Sequence, residues 1–315
     1  MERRRIPFTI GLVLGAFCAS SQASELSLEQ HDRGITVRAD GELFTEYLIK
    51  TGPKPILWPI IGPSGKPMTR AFPMQRVEGE KFDHPHQRSL WFTHGNVNGV
   101  DFWSEFGRHG SIVHREFTRF ESGTVAVIQT KNDWLGPDGK RQCEDERTLS
   151  FRVDKDRRTI DFQIVIRTSD GPVQFGDTKE GTFGIRVPTL MDVDRKAGGR
   201  IVTSEGLTDA AAWGQRAAWV DYHGPIDGQM VGIAVMNHPS SFRYPTYWHV
   251  RTYGLFAANP FGVHDFVGSE EANGSYRLEA GGELVLRYRV LLHAGDAAAA
   301  DVAKAFAEYS AETIR

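Results

Sequence analysis

Between Asp83 and Trp103 the chain concentrates three histidines, one arginine, two acids and two tryptophans in the run DHPHQRSLWFTHGNVNGVDFW. Pro85 disfavours the helical region for His84, so the segment is expected to run extended. Successive residues of an extended chain point to opposite faces, which would put His84, His86 and Arg88 on one side. Two imidazoles beside a guanidinium suit proton transfer to an oxygen-rich small molecule, or stabilisation of charge developing on it. The same spacing allows a metal reading, because two histidines two apart on a strand can share one ion. The shell would then need a further ligand such as His94 or His114.

Two other segments carry comparable chemistry. In GDTKEGTFGIR (176–186), Glu180 follows Lys179 and precedes a strand-like stretch. A carboxylate at a strand mouth can act as general acid or base when its surroundings tune it. Asp177 and Arg186 are weaker candidates there, and a solvated Lys–Glu turn is the competing reading. In YPTYWHVRTY (244–253), a strand would align Tyr247, His249, Arg251 and Tyr253. Aromatic rings framing a histidine and an arginine suit a sugar, whose C–H face stacks and whose hydroxyls take charged donors. Trp103 and Trp248 lie inside these polar segments and are the tryptophans expected to stack on a ligand. Asn259-Pro260-Phe261-Gly262 is read as a loop able to close over the site. Glu144 and Glu146 share a strand face and stand as a reserve carboxylate pair.

These residues need a framework. The chain has 315 residues, 40% of them hydrophobic, and a formal net charge of −3. That suffices for one large core. Arg3, Arg4 and Arg5, the apolar run from Phe8 to Ala19 and the small residues around Ala23 read as a signal peptide, residues 1–23, with export to the periplasm or beyond. A lipid anchor at Cys18 is the alternative. Cleavage removes three arginines and one glutamate, and a mildly acidic exported chain is a poor nucleic-acid binder. No later stretch is long and apolar enough to span a bilayer. Cleavage would also leave Cys143 without a disulfide partner, and an inert thiol in or near a strand is expected there.

The patterning is β-rich. Residues 35–39 and 43–49 flank Asp40-Gly41 as a hairpin. Further strands are expected at 117–120, 124–130, 147–153, 159–167, 183–187, 200–203, 217–222, 231–236, 248–253, 275–278 and 284–292, with a proline-preset turn at Pro137-Asp138-Gly139. Only 297–314 reads as helical, with Asp296 as its cap and Val302, Phe306 and Tyr309 on one face. Many short strands and 33 glycines point to an all-β antiparallel sandwich or barrel in one domain, residues 24–315. No glycine-rich nucleotide loop occurs, so no organic cofactor is expected.

The segments 83–103, 134–140, 177–188, 213–224 and 244–262 resemble a secreted bacterial family often labelled "methane oxygenase PmoA", or PmoA-like. The resemblance implies an antiparallel supersandwich similar to galactose mutarotase-like proteins, with the sugar site on a concave sheet. It further implies that His84, His86, His249 and Glu180 converge as acid and base. Arg88, His94, Trp103, Lys179, Trp248 and Arg251 are read as the residues around the substrate. The expectation is a carbohydrate-active protein working by acid/base chemistry as epimerase or mutarotase, lyase or hydrolase. A non-catalytic sugar-binding module and a metal-dependent oxygenase are the alternatives.

Overall fold

In the computed structural model, residues 24–154 and 156–313 are described; the expected signal peptide lies outside them. The chain first lays down five antiparallel strands: β1 (Leu26–His31), β2 (Gly34–Ala39), β3 (Glu42–Leu48), β4 (Ile56–Ile60) and β5 (Leu90–His94). It then crosses to a second layer for β6 (Ser111–Glu121), β7 (Ala126–Leu135), β8 (Arg141–Asp154) and β9 (Arg157–Arg167). After the short β10 (Val173–Phe175) it returns with β11 (Gly181–Arg186). The second layer gains β12 (Arg200–Thr203), β13 (Trp219–Ile226), β14 (Gln229–Asn237) and finally β18 (Glu283–Ala294). The first gains β15 (Tyr247–Val250) and β16 (Leu255–Asn259), while β17 (Tyr276–Leu278) pairs with β10. The result is two eight-stranded sheets, ordered β1-β2-β3-β4-β5-β11-β16-β15 and β12-β13-β14-β18-β9-β8-β7-β6. Their pairings are antiparallel. This is the all-β antiparallel sandwich that the patterning predicts.

Local chemistry explains the strands that were legible. Asp40 (φ 49°) and Gly41 (φ 84°) both adopt positive φ, as a two-residue hairpin turn requires. β7 and β8 alternate buried and half-buried residues along most of their length, so one face packs and the other is wetted. The inner faces meet in one apolar core that includes Phe92, Trp134, Phe151, Phe183, Trp248 and Tyr288. Inside it Asp145 binds Arg147 through both oxygens, at 2.9 and 2.8 Å, and accepts from Trp134 Nε1 and Asn132 Nδ2. Cys143 is buried in β8, and burial raises its thiol well above the ordinary range.

Other strands lack that alternation, although the one expected at 183–187 is present as β11. β5 and β11 are buried at every position, having packed layers on both faces, so neither alternates. β16, an Ala-Ala-Asn stretch, is buried throughout as well. The C-terminal helix α2 spans Val302–Ser310, shorter than expected. Asp296 instead accepts from Ala299 N–H in the turns that precede it. Val302, Ala305 and Tyr309 bury against Ala234, Met236 and Leu291 on the outer side of the second sheet. A second short helix, α1 (Val263–Val267), was not anticipated.

Candidate functional site

Alternation along the first sheet decides which side chains face away from the core. In β5, Leu90 and Phe92 join the inter-sheet core, whereas Trp91 joins a smaller outer patch with Trp103, Leu255 and Ala257. In β15, Trp248 and Val250 point inward, so His249 between them points outward. This corrects one expectation: Trp248 is fully buried, its Nε1 donating to Ala217 O, and it does not stack on a ligand. A second correction follows from the same rule. His94 shares the inward face of β5, sealed against Phe175 and Phe261, with Nε2 2.8 Å from Gly176 O.

The histidine segment is not extended. His84 has φ 42°, and Gln87 N–H closes a turn onto His84 O at 3.0 Å. The cause is Arg70, fully buried, whose guanidinium donates to His84 O and Gln87 O and pairs with Asp83. The long-range donor overrides the local preference set by Pro85. His84 and His86 still come together, ring centroids 5.7 Å apart, and His84 stacks on Tyr253 at 5.2 Å. Arg88 is thrown to another place, a third correction. It grips Glu105 in a two-pronged pair (2.8 and 2.6 Å) and donates to Thr51 O, with Lys54 Nζ on the same carboxylate at 2.7 Å. This buried cluster holds the loop that carries Trp103 and Phe106.

Glu180 is placed by its backbone. Asn259 Nδ2 donates to Thr178 O and Lys179 O, and its Oδ1 accepts from Phe261 and Gly262 N–H. Asn259 is thus a buried pin for residues 178–180; the expected closing loop is a fixed support. Lys179 N–H donates to Asp265, and Gly95 N–H donates to Glu180 O at 2.7 Å. A Cβ on Gly95 would lie 2.8 Å from that carbonyl oxygen, so only glycine lets the two segments approach.

His84, His86, Trp103, Lys179, Glu180, His249 and Arg251 line a single open cavity of about 360 Å³, outside the first sheet. Gln87, Asp101, Ser104 and Tyr253 complete its wall; Tyr253 is one of the two rings expected to frame a sugar, and the other three carry no expected role. Asp101 and Tyr253 sit inside the polar segments already singled out, whereas Gln87 and Ser104 carry no sequence signal. Three expected binding residues, Arg88, His94 and Trp248, are absent from the lining. His114 bonds Thr130 on the second sheet, so neither third ligand of the metal reading reaches His84 and His86. Among the described residues no cluster of three His, Cys, Asp or Glu side chains has metal-ligand geometry. Glu144 and Glu146 are tied up by arginines on the outer face of β8.

The electrostatics separate the titratable groups. His249 Nδ1 lies 2.8 Å from Lys179 O; a carbonyl can only accept, so Nδ1 carries the proton. Nε2 therefore keeps its lone pair, and among the described residues no group bonds it; His249 lines the cavity described above. Burial, with Arg251 and Lys179 nearby, pushes His249 down to about 4. Burial, with Lys54 and His84 nearby, does the same to His86, also about 4. Glu180 moves the other way: burial raises its pKa, Asp101 and Asp265 add to the rise, and Lys179 and Arg251 oppose it. A larger cavity of about 520 Å³ beside Trp58 and Leu190 contains no histidine.

Residues 34–307 match the family described as "Family of unknown function (DUF6807)". The chain belongs to that family. No curated protein matches it. Solved structures similar to the DUF6807 chain include a galactose mutarotase-like protein from Lactobacillus casei (10% identity, TM-score 0.39, 85% of this chain and 100% of that one). Another, from Clostridium acetobutylicum, is also galactose mutarotase-like (9%, TM-score 0.40, 87% and 99%). An α-galactosidase from Lactobacillus brevis aligns over 86% of this chain at 8% identity and TM-score 0.43. This chain spans 39% of that enzyme's length.

Proposed function

We propose that the cavity binds a sugar or modified sugar and acts on it by acid/base chemistry, with His249 Nε2 accepting a proton and Glu180 donating one. The observation that carries this reading is the His249–Lys179 hydrogen bond. It fixes the tautomer that leaves Nε2 unprotonated, and it is made to the carbonyl of the residue before Glu180, a carboxyl whose affinity for its proton is raised. Environments that prepare one group to accept and another to donate are what such chemistry needs. His84 and His86 supply further ring nitrogens, and Gln87, Ser104 and Lys179 supply donors for hydroxyls. Phe106, on the edge of the His86 ring at 6.1 Å and 64% exposed, offers an aromatic face beside the opening. The acid/base roles require no cofactor. Export of the mature chain remains part of the reading.

The test is incubation with aldoses, uronates and glycosides, followed by proton NMR. Conversion of at least one sugar, abolished in Glu180→Gln and His249→Gln, supports the reading. Saturable binding with no conversion would replace it by a sugar-binding module. The absence of both would overturn it.

A further inference from the structure

Within the proposed sugar site, on which this inference rests, we infer that the ligand carries a carboxylate, as a hexuronate does, and that Arg251 receives it. Arg251 is exposed in the cavity wall, and its guanidinium lies over the Trp213 ring at 5.5 Å. Among the described residues no carboxylate pairs with it. The neighbouring guanidinium and buried ammonium groups are committed, Arg88 and Lys54 to Glu105 and Arg70 and Arg186 to Asp83, while Lys179 has Asp265 beside it at 3.6 Å and keeps donors free for hydroxyls. The turn that carries Arg251 is fixed. Its N–H donates to Leu255 O at 2.7 Å, and its carbonyl accepts from Gly254 N–H at 3.0 Å. A flat guanidinium held against an indole presents its edge, the arrangement that meets a carboxylate with two parallel hydrogen bonds.

The rest of the cavity fits an anionic group arriving at that point. Arg251 is one of the charges that hold His249 low and one of those that oppose the rise in Glu180. A carboxylate on Arg251 cancels both effects. His249 then becomes the better acceptor and Glu180 the better donor, so a uronate prepares both groups and a neutral aldose leaves them unprepared.

The experiment is titration calorimetry at low ionic strength on the full chain, with glucuronate, its methyl ester and glucose, and the galacturonate set in parallel. Wild type is expected to bind one uronate about tenfold or more tightly than its methyl ester, the scale of a lost charge-assisted hydrogen bond. Arg251→Gln should erase that preference while holding the ester within about twofold, and Arg251→Lys should recover part of it. An unchanged melting temperature in the variants keeps the comparison valid. Esters or aldoses binding as tightly as the uronates, or an undiminished preference in Arg251→Gln, would overturn the inference and leave the sugar site standing. If no sugar of any kind binds, the inference falls together with the proposed function.

Discussion

His249 reaches across the cavity wall to hold the carbonyl of Lys179, the residue before Glu180. One hydrogen bond thereby joins β15 to the loop that leads into β11. Much of the site's behaviour follows from how that loop is held, and the buried support beneath it can be tested first.

Asn259 satisfies two carbonyls and two N–H groups from its buried position. Asn259→Ala leaves those groups unpaired and should cost about 1–3 kcal/mol in urea unfolding. Asn259→Asp should cost at least as much, because a carboxylate cannot donate to Thr178 O or Lys179 O. Wild-type stability in both variants would show that the pin is redundant.

Glu105 answers a buried cation, Lys54, and a half-buried one, Arg88. Glu105→Gln should destabilise by about 3–5 kcal/mol, since it leaves charge buried without compensation. Replacing all three by apolar residues of similar size should cost much less. Chemical denaturation of the single and triple variants distinguishes a buried-charge penalty from simple loss of packing.

Stability should fall on mild acidification. His94 and His249 are both held at about 4 by burial, against about 6.5 in an unfolded chain. The unfolded chain therefore binds their protons first. Their contribution is complete above about pH 6.5 and declines as pH drops toward about 4, by roughly 3 kcal/mol each. His86 adds in the same direction. Glu180 and Glu80, whose pKa values are raised, act oppositely near the carboxylate range. The urea midpoint should decrease between pH 7 and pH 5, a window in which ordinary carboxylates stay ionised. A flat profile there would contradict the burial of neutral histidines.

Phe106 and Trp248 should behave as opposites. Phe106→Ala removes an exposed ring and should change stability by less than about 0.5 kcal/mol while weakening sugar affinity. Trp248→Ala opens the inter-sheet core and should cost about 3–5 kcal/mol. Melting curves and calorimetry on the pair separate ligand stacking from core packing.

The last contrast shows where sequence reading succeeds and where it stops. Trp248 and His249 are adjacent in a strand, so alternation already forbids both from facing one cavity; only the inward or outward sense was open. The β2–β3 hairpin and the β7–β8 pair declare themselves through turn residues and period-two burial. β5 and β16 do not, because strands packed on both faces lose that period; β11, equally buried, was still legible at 183–187. His84, His86, Glu180 and His249 were each visible as chemistry-bearing residues in polar segments, and the structure gathers them round one cavity. Arg88 was misplaced because its partner Glu105 lies 17 residues away. The bend at His84 depends on Arg70, and the seat of Glu180 on Asn259, 81 residues from the Thr178 carbonyl it holds. Nothing in the local sequence announces either support.

The most direct measurement compares wild type, Glu180→Gln and His249→Gln on whichever sugar wild type converts, reading turnover by NMR and affinity by calorimetry. The account predicts that each substitution lowers kcat by about 10²–10⁴-fold with Kd little changed. Conversion at the wild-type rate by either variant would contradict it.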